Sequence, residues 1–408
     1  MVTGTEQRTK ARRKLMLRDA LSFLGLLAIT GVLFVVTLLL FRSFTHHRDD
    51  LARRWADRGA NHMSEGHPDQ AIVALRTALN YAPGDRKFEL LLAQALAQAG
   101  RTDESYAYFS TLREGEPGSG FINLQLARLA AGRGESSTAA ELYRASIYGT
   151  WEGDGVVRRA AVRLELARFL IHTGQLQAAR MELLIAAGNA PETAALDRTV
   201  ARLLVDAQDP ADAWSYYRKA VALSARDVET LAEAGRYAYR IGEFSAAQRL
   251  LTRAEALRAD AHLPPDAELA ALRSASARIG EIVPAASLPP GENARRVLEL
   301  RRLAKRRLDR CLLLPASPGA AGKPPALQTL AARWSAPEGT AAGGALRDPA
   351  AQDATMHLIY ETELATDKVC APATGDDALL LHLATQSGTP LSQGRVDSVA
   401  VGDPVVGR

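Results

Sequence analysis

Four arginines stand in parallel settings along the middle of this sequence: Arg128 in LARLA, Arg168 in LARFL, Arg202 in VARLL and Arg236 in AGRYA. Their spacings are 40, 34 and 34 residues, so the repetition is close to periodic. A guanidinium presents a rigid fork of donors that matches both oxygens of a carboxylate. An aligned row of them is therefore a candidate surface for an acidic segment or a terminal carboxylate. The competing reading is solvated arginines on helix faces. The elements that carry them decide between the two.

Other chemistry is sparse. The sequence has no HExxH, GxSxG, CxxC or glycine-rich dinucleotide loop, which removes the common catalytic signatures, and no enzyme activity and no cofactor are expected. The run Ser317–Pro324 has a Gly-Lys pair but lacks the first glycine and the Ser or Thr of a phosphate loop. His46, His47, His62 and His67, with Asp49 and Asp50, supply metal-ligand types, yet their spacing matches no ligand motif, and surface histidines are the preferred reading. Cys311 and Cys370 form a candidate disulfide in an oxidising compartment, with reduced buried thiols as the alternative.

A chain of 408 residues with 47% hydrophobic and 24% charged residues has room for two or three domains and enough apolar mass to bury a core. Two cysteines are too few for a disulfide-built scaffold or a four-thiolate zinc site. The net charge of +4 is mild and the basic residues are nearly all arginine, so composition alone does not argue for nucleic acid as a partner.

From Ala20 to Phe41 run 22 uncharged residues, fifteen of them Leu, Ile, Val or Phe. As a helix this span is roughly 33 Å long, enough for a bilayer core of about 30 Å. A cleaved signal peptide has a shorter apolar region and a small-residue site after it, whereas Arg42-Ser43-Phe44 follows here. The reading is a membrane anchor at 20–41 preceded by a basic cytoplasmic tail at 1–19. Six basic residues precede the span (Arg8, Lys10, Arg12, Arg13, Lys14, Arg18) and five follow it closely (Arg42, Arg48, Arg53, Arg54, Arg58). This weak bias, and the difficulty of translocating a short basic tail, places the remainder outside the cytoplasm: in a bacterium, a single-pass inner-membrane protein facing the periplasm.

Pro83 and Pro117, 34 residues apart, each close an Ala-rich stretch of helical periodicity. In a 34-residue frame, units fall at 52–85, 86–119, 120–153, 160–193, 194–227 and 228–261. Trp55, Gly59, Ala71, Ala78 and Pro83 occupy positions 4, 8, 20, 27 and 32 of the first; Leu166-Ala167, Ala179, Ala186 and Pro191 occupy corresponding places in the fourth. Ser105 replaces the small alanine of position 20 in the second unit, Trp151 replaces the proline of the third, and six residues intervene before the fourth.

This pattern resembles the tetratricopeptide repeat. The resemblance covers 52–261 and implies an all-α fold, a solenoid of helical hairpins in which small residues at positions 8 and 20 let paired helices approach closely. It also implies that the first helix of each unit lines a concave groove, with positions 2, 5, 9, 12 and 13 facing a bound ligand. Position 9 is Arg128, Arg168, Arg202 and Arg236, and Arg198 and Arg240 lie on the same side. The implied partners are proteins or peptides, captured through acidic or C-terminal segments. The chaperone-type carboxylate clamp of the family uses Lys and Asn, so that ligand does not carry over. One anchor followed by repeats is similar in layout to the ancillary tetratricopeptide subunit of the bacterial secretion translocon, without a shared specific motif.

After the repeats, 262–314 reads as capping helices, the second with a basic face at Arg295, Arg296, Arg301, Arg302, Lys305, Arg306, Arg307 and Arg310. A solvated outer face is preferred there over a nucleic-acid site. Residues 315–350, rich in Pro, Gly and Ala, read as a linker with no core, and 351–408 as short helices and a tail, a partly irregular C-terminal extension. The expectation is a membrane-anchored adaptor or assembly factor of undetermined oligomeric state. Two rivals stand beside it: the same repeats facing the cytoplasm and assisting envelope lipid or polysaccharide assembly, and an enzyme with a C-terminal catalytic module.

Overall fold

Helix α1 runs without a break from Thr3 to Ser64, 62 residues that join the apolar stretch to the first half of the first hairpin. The computed structural model describes residues 3–313, 325–336, 344–370 and 372–387. All regular structure among them is helical, apart from one parallel bridge between Ser119 and Thr150. From Leu21 this helix is long and apolar enough to cross a membrane, and its apolar side chains up to Phe41 are exposed among the described residues.

The chain divides into two compact units, Met1–Ala190 and Pro191–Arg408. In the first, α1 is followed by α2 (Pro68–Tyr81), α3 (Arg86–Gln98), α4 (Thr102–Gly115), α5 (Gly120–Gly132), α6 (Ser136–Tyr148), α7 (Gly155–His172) and α8 (Leu176–Asn189). Consecutive helices pair as hairpins, α1 with α2 and so on to α7 with α8. Each hairpin also touches the next. Leu75 of α2, Leu92 and Leu96 of α3 share one cluster with Ala56 of α1, and all three leucines are fully buried. Burying one leucine side chain stabilises by roughly 1.5–3 kcal/mol, which is why a hairpin gains its stability from its neighbours.

Small residues set the closeness of each pair. A methyl group added at Gly59 would stand 2.5 Å from the Leu75 Cγ of the partner helix. One hairpin on, at frame positions 20 and 8, the Ser105 hydroxyl donates to the Ala93 carbonyl at 2.7 Å, so serine fits where the other units carry alanine by bonding to the backbone it is pressed against. Trp151 also has an assigned place: its Nε1 donates to the Ser146 carbonyl at 3.0 Å while its ring covers Gly120. The intervening residues extend the front of α7, capped by the Asp154 carboxylate, which accepts from the Val156 and Val157 amides. Each hairpin turns through a left-handed residue, as at Gly134 with φ +76°, so that the Glu135 amide closes onto the Ala130 carbonyl at 3.0 Å.

The second unit comprises α9 (Ala194–Asp206), α10 (Pro210–Leu223), α11 (Val228–Arg240), α12 (Phe244–Asp260), α13 (Ala267–Ile282), α14 (Pro290–Leu313), α15 (Pro325–Ser335), a 3-10 turn at Ala345–Arg347, α16 (Pro349–Asp367) and α17 (Asp376–Ser387). Two hairpins, α9–α10 and α11–α12, are followed by α13 packed on α12. Gly235 lies against Leu251 as Gly59 lies against Leu75.

Beyond α13 the structure departs from the expected organisation. Val297, Leu300, Ala304 and Leu308 of α14 build a second core with Leu327, Leu330 and Trp334 of α15, Leu346, and Leu358 and Ile359 of α16. The two expected capping helices thus have different roles: α13 covers α12 and adds Ile279 to this second core, while α14 forms the body of a C-terminal helical module. The linker expectation for 315–350 is corrected as well, because α15 and Leu346 contribute to that core. The Pro, Gly and Ala composition hides an apolar triplet whose partners lie on α16. Trp334 Nε1 donates to Thr362 Oγ1 at 3.0 Å inside it. Cys311 at the end of α14 and Cys370 after α16 are joined, their Cα atoms 5.7 Å apart. The glycine-lysine run at 317–323 and the tail from 388 onward lie outside the described residues.

Candidate functional site

The expected arginines lie on the first helices of their hairpins, and most meet an acid of the following element. In the first unit Arg128 of α5 donates from Nε and Nη2 to the two oxygens of Glu165 on α7, both at 2.7 Å. The Tyr143 hydroxyl adds a bond to the same carboxylate at 2.9 Å. Burial pushes the Glu165 carboxyl up, but the bonds from Arg128 and Tyr143 and the charges of Arg128 and Arg168 outweigh it and hold the group below its ordinary range. Burial, with Glu165 alongside, raises the Tyr143 phenol. Arg168, one turn beyond Glu165, is exposed and has no carboxylate partner within ion-pair distance among the described residues.

The second unit repeats the arrangement. Arg202 of α9 pairs with Glu233 of α11 at 2.7 Å, and Arg236 of α11 reaches Glu268 at 3.1 Å and Asp266 at 3.4 Å at the start of α13. Arg198 contacts Glu229 at 2.9 Å and Asp227 at 3.3 Å. Arginine of one hairpin and acid of the next thus clip together along a register. The aligned-arginine reading took in positions 2, 5, 9, 12 and 13 only. The acids at position 6, Glu165 and Glu233, stand three residues before Arg168 and Arg236, and the strings ELAR and EAGR carry the signal that would have located them.

Arg240 differs. Its guanidinium lies 4.9 Å above the Tyr237 ring, and it has no carboxylate partner within ion-pair distance among the described residues. It lines a cleft of about 410 Å³ together with Arg202, Arg236, Tyr217, Tyr237, Tyr239, Glu233, Glu268 and Leu272. Tyr217 and Tyr237 pack with ring centroids 5.0 Å apart, and the Tyr237 hydroxyl donates to the Pro210 carbonyl at 3.1 Å. Burial raises the Tyr217 and Tyr239 phenols, and Tyr217 and Tyr237 are themselves buried, so they form the floor of the cleft. Three guanidinium groups against two carboxylates leave the lining with one net positive charge. Of the six expected arginines the structure gathers Arg202, Arg236 and Arg240 in this cleft. The tyrosines were not expected. Their signal is AGRYAYR, which places two aromatic rings beside two arginines on one helix.

The C-terminal module closes on the edge of this cleft. Gln386 of α17 donates from Nε2 to the carbonyls of Arg240 at 2.9 Å and Tyr239 at 3.2 Å at the end of α11, sharing the Tyr239 oxygen with the Gly242 amide. His382 stacks on Tyr239 with centroids 4.5 Å apart, and burial lowers its affinity for a proton.

Residues 62–129 match the family described as tetratricopeptide repeat. That segment runs from the last residues of α1 through α2, α3 and α4 into α5, and includes Ala93 and Ser105 at frame positions 8 and 20. Solved structures similar to this chain include PilW, a widely conserved type IV pilus biogenesis factor, at 17% identity over 54% of this chain and 98% of that one, with a TM-score of 0.40. MamA is similar at 14% identity over 44% of this chain and 95% of that one, TM-score 0.36. YrrB, a tetratricopeptide protein with an unusual peptide-binding site, is similar at 14% identity over 48% and 96%, TM-score 0.36. No curated protein matches the chain.

The basic face of α14 is largely consumed within the module. Arg295 pairs with Glu292 and Glu299, Lys305 with Asp309, and Arg310 with Asp377. Arg296 bonds Glu292 and two carbonyls, those of Gly280 and Val283. Arg307 is buried against Glu363 at 3.3 Å and donates to Thr366 Oγ1 at 2.9 Å. Burial pushes Glu363 up to about 7, opposed by Arg307 and reinforced by Asp377 and Asp367. Of the groups able to hold a metal ion, one triad converges among the described residues: His62, Glu65 and His67. His46 and His47 lie elsewhere on α1 with exposed side chains.

Proposed function

We propose that this chain is a membrane-anchored scaffold that captures a partner protein by a carboxylate-bearing peptide segment at the Arg240 cleft. The observation that carries the reading is the state of Arg240: its cation is oriented by the Tyr237 face, its backbone carbonyl is capped by Gln386, and no acid within the described residues neutralises it. A bidentate carboxylate is the partner such a fork takes best, and the part-exposed Leu272 in the same lining suits an apolar side chain of the same segment. Arg202 and Arg236 hold the walls through their own acids, which leaves Arg240 as the guanidinium of the lining with no acid beside it among the described residues.

The α1 segment from Leu21 supports anchoring in a bilayer, and the one-charge excess of basic residues before it favours the hairpins on the non-cytoplasmic side, which for a bacterial inner membrane is the periplasm. A disulfide between Cys311 and Cys370 suits that compartment.

Photocrosslinking from Leu272, at the wall of the cleft, in intact membranes tests the capture. A discrete protein adduct is expected from the native chain and its loss from Arg240→Glu, with unchanged helical circular dichroism. An identical adduct in both, or none from either, refutes the cleft as the capture site.

A further inference from the structure

The turn between α1 and α2 brings three metal-ligand side chains to one point. Gly66 takes φ +76° and the His67 amide donates to the His62 carbonyl at 2.8 Å, the closure that ends a helix while returning the sixth residue to the first. His62 and His67 therefore face one another across the turn with Glu65 between them. His62 Nδ1 lies 3.5 Å from Glu65 Oε2, and His67 Nδ1 lies 3.7 Å from the same oxygen. One ligand atom from each residue falls within 4.8 Å of the others. His62 Nδ1 is also shielded from solvent and has no hydrogen-bond partner, an unusual state for an imidazole nitrogen aimed at a carboxylate.

We propose that His62, Glu65 and His67 bind a divalent transition-metal ion of the zinc class. Two imidazole nitrogens and one carboxylate are the donor set of such ions, whereas magnesium and calcium take oxygen alone. Bonds of about 2.0–2.1 Å in tetrahedral geometry place ligand atoms roughly 3.3–3.5 Å apart. The two His–Glu separations already approach that value, and the ligand atoms all lie within 4.8 Å of one another. Three protein ligands leave a fourth position open to water or to a group from a partner. The bound ion would tie the end of α1 to the start of α2, fixing the angle between the two helices of the first hairpin.

The full chain, purified in detergent without a polyhistidine tag, is titrated with cobalt(II) and followed by its visible d–d absorption, with zinc as competitor. One equivalent of tetrahedral cobalt, displaced by zinc, is expected. His62→Ala and His67→Ala should each weaken binding at least about tenfold, while His46→Ala with His47→Ala leaves it unchanged. Circular dichroism confirms folding, and Glu65→Gln serves as a second, isosteric variant. Absence of a saturable cobalt spectrum, or one that survives loss of both His62 and His67, overturns the site.

Discussion

The guanidinium of Arg128 closes on both carboxylate oxygens of Glu165, each contact at 2.7 Å, across the boundary between two hairpins. The pair converts a row of like charges, as read along the sequence, into a stitch between neighbours. Tyr143, on α6 of the same hairpin as Arg128, bonds the same carboxylate and makes the stitch three-membered.

Glu165→Gln should therefore destabilise the first unit by about 1 kcal/mol at neutral pH, the scale of a half-exposed bidentate pair. The sign with pH follows from the lowered Glu165 carboxyl: its contribution is present above the ordinary carboxylate range and disappears as acid protonates it in the folded state. Urea unfolding of both proteins at pH 7 and at about pH 3 checks this; a difference that persists undiminished in acid contradicts the assignment.

Glu363 behaves in the opposite sense. Its carboxyl is raised by burial to about 7, so the folded module holds a proton that the unfolded chain releases near the ordinary carboxylate value. Stability from this group is full below that value and declines as pH climbs toward about 7. His382, lowered by burial, contributes with the reverse slope, so the informative quantity is the difference between native chain and Glu363→Gln. Thermal melts from pH 5 to 8 should show a pH-dependent loss that the glutamine variant lacks.

Gln208 adopts φ +58° at the turn where Gly100, Gly134, Gly174 and Gly242 stand in other hairpins, closed by the same amide-to-carbonyl bond, Asp209 to Leu204 at 2.9 Å. A side chain there bears a left-handed cost of roughly 1–2 kcal/mol, partly offset by the greater freedom of glycine when unfolded. Gln208→Gly should raise stability by roughly 0.5–1 kcal/mol, seen as a higher urea midpoint at constant slope. A lowered midpoint would mean that the glutamine side chain earns its place.

Cys311 and Cys370 are 59 residues apart in sequence and tie the end of α14 to the end of α16. Oxidised protein should yield a peptide pair linked through these two residues on non-reducing mass mapping. Replacing both by serine should cost the C-terminal module about 2–4 kcal/mol. Two free thiols in oxidised material would refute the bond.

The hairpins were readable because their physics is local and repeated. Helices α3, α5, α9 and α11 begin at Arg86, Gly120, Ala194 and Val228, the residues at which the 34-residue frame opens its units. The close pairing at Gly59–Leu75 and Gly235–Leu251 follows from the small residue at position 8. Where the frame slips, the Asp154 cap starts α7 early, a signal that periodicity alone does not contain.

The C-terminal core was hidden for a different reason. Leu327, Leu330 and Trp334 are three apolar residues in a segment dominated by Ala, Gly and Pro, and nothing local declares that their partners lie on α16. The candidate cleft was half visible: its arginines stood out by type and spacing. Its tyrosines did not, and the pairing of Arg202 and Arg236 with acids of the next helix needed the distance between hairpins, which one strand of letters does not state.

Because α1 passes from its apolar portion into the Ala52–Ser64 half of the opening hairpin with unbroken helical backbone, there is no swivel between the two. A helix of this length spans about 93 Å, and its bending is stiff compared with a loop. Tilting or turning the apolar end therefore steers α2 directly, like a rudder fixed to its post. Inserting a short glycine-serine spacer after Arg48 would uncouple them, leaving each part folded while its aim is lost.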